Sequence, residues 1–233
     1  MLPGMTQLKL LVIVPHPDDE TFGSGGMILA SLARNEPCGV ITLTLGDAGK
    51  TLGLCDTRAE LAALRSQELQ ACLDALGLLS HPGSLHEQHH YPDGQVATHL
   101  PQVTAVVSDA LARHQPEIVL TVPPDGLNGH PDHVATHEAV HAAWHALPAH
   151  ARPALWYYAL PCESLGAVSE RYLPPNHTED VSAFVTAKLR AMGCHRSQGL
   201  TLANTLRRFP ERVTHEPFHV AVGRLDPSAP HAN

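Results

Sequence analysis

Two short stretches of this chain concentrate groups that bind metals and move protons: Pro15-His16-Pro17-Asp18-Asp19-Glu20 and His130-Pro131-Asp132-His133. The first crowds three carboxylates and an imidazole into five residues. Unpaired, such charge density is costly, because like charges raise one another's pKa values, and a divalent cation removes the cost. Imidazole and carboxylate suit zinc, and also iron(II) or cobalt(II). A catalytic zinc site takes three protein ligands and leaves one position to water. The first stretch can supply two, and His133 is the natural third. Not all the carboxylates can ligate, and one standing beside the metal can act as general base toward a water acidified to a pKa of about 7. The plainer account is helix capping, since carboxylates favour helix N-termini. One aspartate could do that; two acids, two prolines and two histidine motifs are poorly accounted for by it.

These motifs need a frame. Residues 8–14 are a continuous apolar run, the pattern of a strand covered on both faces. Further strands are expected at 40–45, 117–122 and 155–160, and helices at 27–33, from a Thr57 or Asp56 cap to Leu76, and at 101–114, 133–146 and 181–195. Alternating strands and helices predict a single α/β domain over residues 1–225, a Rossmann-like, mostly parallel sheet with helices on both faces. The Pro/Ala/Ser-rich tail at 226–233 is expected to fray. Ligands of such folds bind beyond the carboxyl ends of the strands. Both motifs fall there, one directly after Val14 and the other shortly after Val122.

Composition removes some alternatives. A chain of 233 residues with 43% hydrophobic and 16% charged residues can bury one sizeable core. Its formal net charge of −8 argues against nucleic acid or an anionic membrane surface as the main partner. Five dispersed cysteines without a C-x-x-C pair do not form a disulfide framework, and residues 8–14 are too short a run to span a membrane. A cytoplasmic location is the default expectation.

PHPDDE after the first strand, Gly46-Asp47-Ala48-Gly49 after the second and HPDH after a later one resemble the zinc-dependent LmbE-like, or PIG-L-type, N-deacetylases. Arg65 and Glu68 in an R-x-x-E, Tyr91-Pro92-Asp93-Gly94, and a K…A…H-x-S-Q segment from Lys188 to Gln198 extend the resemblance over nearly the whole chain. It implies that His16, Asp19 and His133 hold Zn2+, or Fe2+ in the cell, and that Asp18 is the general base. It also implies that His130 is an imidazolium stabilising the oxyanion, oriented by Asp132. Arg65 and Asp93 match positions expected at the sugar or its aglycone, and Asp47 and Asn128 complete the expected substrate-binding set. Asp47 stands where many relatives carry Glu, and Asn128 where some carry a Tyr oxyanion helper. The expected partner is a small-molecule N-acetylated sugar conjugate, with the HPDH context closest to the malate-glycoside deacetylases of bacillithiol synthesis. Some relatives assemble as trimers or hexamers, which makes a homo-oligomer a further implication. An amidase of a thiol conjugate would use the same machinery. A non-catalytic carbohydrate-binding relative would be expected to lose the base, and Asp18 is present.

A rival motif exists. His137-Glu138-Ala139-Val140-His141 is a literal H-E-x-x-H, the zincin metallopeptidase signature. The longer metzincin form needs Gly where Trp144 stands and no third ligand sits at the right distance, whereas His133, His137, His141 and His145 recur every four residues, so a helix stripe leading away from the site is the favoured account. Gly23-Ser24-Gly25-Gly26 lacks the dinucleotide spacing and reads as room for close packing and substrate approach. His86, His89 and His90 read as a surface loop, His219 with Glu216 and Phe218 as an edge strand. His195, Ser197 and Gln198 either line the pocket or finish a helix.

Overall fold

Along β1 (Leu10–Val14) successive side chains point to opposite faces of a sheet, so Leu10, Val12 and Val14 enter one core and Leu11 and Ile13 another. All five are fully buried, which demands helices on both sides. The computed structural model describes residues 7–161 and 169–223. Its other strands are β2 (Cys38–Thr44), β3 (Leu85–Tyr91), β4 (Ile118–Thr121), β5 (Ala154–Tyr158), β6 (His177–Asp180) and β7 (His215–Val222). They form one sheet in the order β3-β2-β1-β4-β5-β7-β6. The first five strands pair in parallel, β7 runs antiparallel to β5, and β6 antiparallel to β7.

Helices α1 (Asp19–Ala33), α2 (Arg58–Ala75) and α6 (Val185–Met192) cover one face through Met27, Ile28, Leu69, Leu73 and Ala191. On the other face α3 (Leu100–His114) and α5 (Pro131–Ala146) contribute Val103, Val107, Ala139 and Val140. A four-residue turn, α4 (Gly126–Gly129), precedes α5, and α7 (Gly199–Arg208) follows α6. Thr57 caps α2 in a reciprocal capping box with Glu60. The architecture is the expected Rossmann-like one, with β1 and β4 at the point where strand order reverses. No helix among the described residues is long and apolar enough to cross a membrane. Cys38, Cys55, Cys72 and Cys194 are free thiols, whereas Cys162 and the 226–233 tail lie outside the described residues.

Four expectations need correction. The first helix begins at Asp19 rather than residue 27, and the glycines lie inside it, where Ser24 leaves helical geometry at φ −147°. The amides of Gly26 and Met27, which face a broken ladder, each donate to the buried Glu216 carboxylate at 2.8 Å. That carboxylate also holds Lys188 Nζ at 2.7 Å, so β7 caps the second half of α1. Close packing accounts for Gly23, since a Cβ there would sit 2.5 Å from the Tyr158 ring. Second, the His86–His90 stretch is a strand; a polar segment paired on one side only escapes the apolar-run signal. Third, β7 lies inside the sheet, because β6 covers its outer edge. Fourth, the helix expected at 181–195 is interrupted: a 3-10 turn at Ser182–Phe184 precedes α6, which ends at Met192.

Replacing Gly23 with Val should overpack the Tyr158 contact and lower stability by about 1–3 kcal/mol. A urea midpoint equal to that of the parent protein would show that the ring yields freely.

Candidate active site

The chain leaves β1 and β4 side by side, and the two motifs meet over their carboxyl ends. His16 follows β1, Asp19 opens α1 and His133 lies in the first turn of α5. Asp19 Oδ2 stands 3.4 Å from His16 Nδ1 and 3.4 Å from His133 Nε2. These separations exceed the roughly 2.7–3.2 Å of a hydrogen bond. They match the spacing, about 3.3–3.4 Å, between two ligands bound tetrahedrally at about 2.0–2.1 Å. Each of the two imidazole–carboxylate pairs thus has the spacing of two ligands on a divalent cation. His16, His130 and His133 also place a ring nitrogen each within 4.8 Å of one another.

The second nitrogen of His16 is equally crowded. Its Nε2 lies 3.1 Å from Asp93 Oδ1 and 3.1 Å from Asp132 Oδ2. Asp132 is anchored by amides, accepting from Gly94 at 2.7 Å and Val96 at 3.0 Å, while Asp93 accepts from Ala48 at 2.7 Å. Burial works against a charged His16, yet Asp132, Asp19 and Asp93 lift its pKa well above the ordinary value. Burial likewise opposes ionisation of Asp93, but the His16 hydrogen bond leads in holding it down to about 2. A carboxylate on the far nitrogen of a metal-binding histidine fixes its tautomer and ring orientation. Both carboxylates, that of Asp132, expected to orient His130, and that of Asp93, expected at the sugar, lie against His16.

His130 is held by a different group. Its Nδ1 accepts the Asp132 backbone N–H at 3.2 Å, capping α5, so the ring proton belongs on Nε2. Burial, then His16 and His133, lower its pKa. Asn128 accepts the His130 backbone N–H through Oδ1 at 3.1 Å.

Asp18 has φ +130°, a conformation that costs a residue with a Cβ about 1–3 kcal/mol. Its N–H donates to Glu20 Oε2 at 2.9 Å, and its carbonyl accepts from Thr21 and Phe22. Burial pushes its carboxyl up to about 6, against the pull of Arg65, whose Nη2 lies 3.5 Å from Oδ1. Arg65, expected on the sugar, is only 4% exposed and donates to the carbonyls of Gly46 at 2.8 Å and Pro17 at 2.5 Å. Gly46 must be glycine here: φ is +67°, and a Cβ would stand 2.5 Å from the guanidinium carbon. Asp47 faces outward to Arg58 at 3.2 Å and joins no three-ligand group among the described residues.

Glu20, Glu68, His195 and Ser197 form a second, buried set of contacts. Glu20 Oε1 accepts from His195 Nε2 at 2.9 Å and Thr21 Oγ1 at 2.7 Å, with Cys72 Sγ at 3.5 Å. Glu68 accepts from Ser197 through both its amide at 3.0 Å and its hydroxyl at 2.6 Å. His195 and Ser197 thus tie the C-terminal segment beneath the site instead of finishing a helix. No spacing rule links residue 20 to residue 195; the H-x-S-Q resemblance was the available signal.

The H-E-x-x-H segment holds no comparable set. His137 Nδ1 donates to the Val122 carbonyl at 3.1 Å, and burial lowers its pKa to about 4. His141 is exposed and pairs with His145 at 3.1 Å, and Glu138 lies 3.7 Å from Arg171. Among the described residues no third ligand joins His137 and His141.

Residues 11–144 match the family model described as PIG-L, GlcNAc-PI de-N-acetylase. The chain is 32% identical over 202 residues to a probable N-acetyl-alpha-D-glucosaminyl L-malate deacetylase 2 of Bacillus anthracis, covering 85% of each. It is 34% identical over 164 residues to a 1D-myo-inositol 2-acetamido-2-deoxy-alpha-D-glucopyranoside deacetylase of Mycobacterium sp. strain KMS, covering 60% of this chain and 52% of that one. Among solved structures, the conserved protein TT1542 of Thermus thermophilus superposes with TM-score 0.72 at 25% identity, covering 94% and 97% of the two chains. The motif-bearing half lies inside the matched model and the relatives extend the match across the rest: this chain belongs to the PIG-L family of GlcNAc-PI de-N-acetylase-like proteins.

Proposed function

We propose that the chain hydrolyses the acetamide of an N-acetylglucosamine conjugate, with His16, Asp19 and His133 as ligands of a catalytic zinc. The observation that carries this reading is the pair of 3.4 Å separations about Asp19 Oδ2, with a buried, raised carboxyl on the preceding residue. Iron(II) accepts the same donors, and cellular supply decides between the two. A divalent cation bound there supplies Lewis acidity to the carbonyl oxygen and acidifies the attacking water.

The remaining work falls to side chains. Asp18 takes a proton from the water as its oxygen bonds to the amide carbon; a base poised near neutrality suits that transfer. His130 donates its Nε2 proton as a hydrogen bond to the carbonyl oxygen while that atom gains charge. Asp18 then passes its proton to the nitrogen as the C–N bond breaks, so a free amine and acetic acid leave. Asp93 and Asp132 hold the His16 ring, and Arg65 holds the Pro17 and Gly46 carbonyls on either side of Asp18. The relative from Bacillus anthracis, matched over most of both chains, supports a sugar-malate as the conjugate.

Acetate release from N-acetylglucosaminyl malate, the inositol glycoside and N,N'-diacetylchitobiose, measured in parallel, should be fastest with the malate conjugate. No release from any of the three would sink the deacetylase reading. Asp18→Ala should keep about one zinc per chain while kcat falls about 10²–10⁴-fold. His16→Ala should lose the zinc, whereas His141→Ala should keep both metal and turnover; loss of zinc only in His141→Ala would favour the zincin alternative. If neutral His130 is the working donor, its lowered pKa places its titration below pH 6.5, so activity should not decline above pH 7 on its account. A basic limb seen in the parent enzyme and absent from His130→Gln would instead identify the imidazolium as the active form.

A further inference from the structure

The geometry points to a buried clamp in which Glu20 and His195 hold Asp18 in its left-handed backbone conformation and thereby aim its carboxylate. Both are positioning residues, and the inference rests on the reading of Asp18 as the general base.

The clamp can be traced atom by atom. Asp18 keeps φ +130° although it carries a Cβ, so surrounding contacts must over-determine it. Its amide donates to Glu20 Oε2 at 2.9 Å, closing a loop of two residues. Left alone, the Glu20 side chain could rotate away. It cannot, because Oε1 accepts from His195 Nε2 at 2.9 Å and from Thr21 Oγ1 at 2.7 Å. Glu20 is fully buried and His195 is 1% exposed, so water offers neither an alternative partner. The Phe22 ring stands edge-on to the imidazole at 6.2 Å. Two residues on, Ser197 anchors the segment that carries His195, its amide and hydroxyl both reaching Glu68 on α2, while His195 Nδ1 has no hydrogen-bond partner among the described residues.

Glu20, Cys72 and His195 could also be taken for a second metal site, since one ligand atom of each lies within 4.8 Å of the others. The separations argue otherwise. His195 Nε2 stands 2.9 Å from Oε1, a hydrogen-bond distance, and Cys72 Sγ at 3.5 Å from Oε1 is within the range of a thiol donor, whereas the two pairs about Asp19 stand at 3.4 Å. Every donor around Oε1 already has its acceptor.

The test uses the zinc-loaded full chain and the glycoside that the parent enzyme hydrolyses fastest. His195→Ala should lower kcat at least tenfold while KM and zinc content stay within twofold of the parent. His195→Gln, whose amide can donate to Oε1, should recover kcat to within about threefold. Unchanged kcat in His195→Ala, a loss of kcat that tracks loss of zinc, or no recovery in His195→Gln overturns the clamp. Crystals of zinc-loaded His195→Ala read it without turnover: Asp18 should leave the left-handed region, and its separation from Arg65 should open beyond the present 3.5 Å. An Asp18 still near φ +130° overturns the clamp whatever the glycosides show. A rotated Asp18 in that variant, with a parent protein inactive on all three glycosides, would keep the clamp and discard the deacetylase reading.

Discussion

An imidazole ringed by three carboxylates organises this molecule. Asp19 approaches one nitrogen of His16 at 3.4 Å, and Asp93 and Asp132 approach the other at 3.1 Å each. Two carboxylates about 4 Å apart repel by roughly 4 kcal/mol at an effective dielectric of 20, so the arrangement is tolerable only around positive charge. The three acids come from different places: the start of α1, the turn after β3 and the start of α5. One side chain therefore knits the rim of the sheet together. The amides of Ala48, Gly94 and Val96 secure the carboxylates of Asp93 and Asp132, so the loops after β2 and β3 are drawn into the same net.

Around that net each polar group has a narrow task, set by what it touches. Arg65 looks from its position like a substrate contact, but its guanidinium satisfies two loop carbonyls in a space that only a glycine leaves open. His130, expected to face an oxyanion, also takes the Asp132 backbone N–H on its Nδ1. Both outcomes follow from backbone groups. A buried carbonyl or amide must find a partner, and the nearest side chain is recruited to serve it.

What the sequence disclosed follows the same division. Apolar runs such as residues 10–14 announce buried strands, and the two acid/His motifs announce where chemistry gathers, because both signals are local. The polar strand β3 was hidden, since half-exposed residues at a sheet edge carry no hydrophobic period. The kink at Ser24 was hidden too, because its compensation comes from Glu216, 190 residues away from Gly26 in the chain. Asp132 was visible as an acid and Tyr91-Pro92-Asp93-Gly94 as a motif, yet nothing local showed that the Gly94 amide would hold the Asp132 carboxylate against His16. Local chemistry was legible; the pairing of distant polar groups was not.

The 175-residue span between Glu20 and His195 has a consequence for how the protein is made. During synthesis at roughly 5–20 residues per second, the roughly sixty residues between His133 and His195 take about 3–12 s to emerge. Throughout that interval His16, Asp19 and His133 have emerged, whereas the imidazole that bonds to Glu20 has not. The loop after β1 and the start of α5 thus leave the ribosome before the residue that closes the hydrogen bond to Glu20. Order of appearance at the ribosome separates two partners that the finished fold unites.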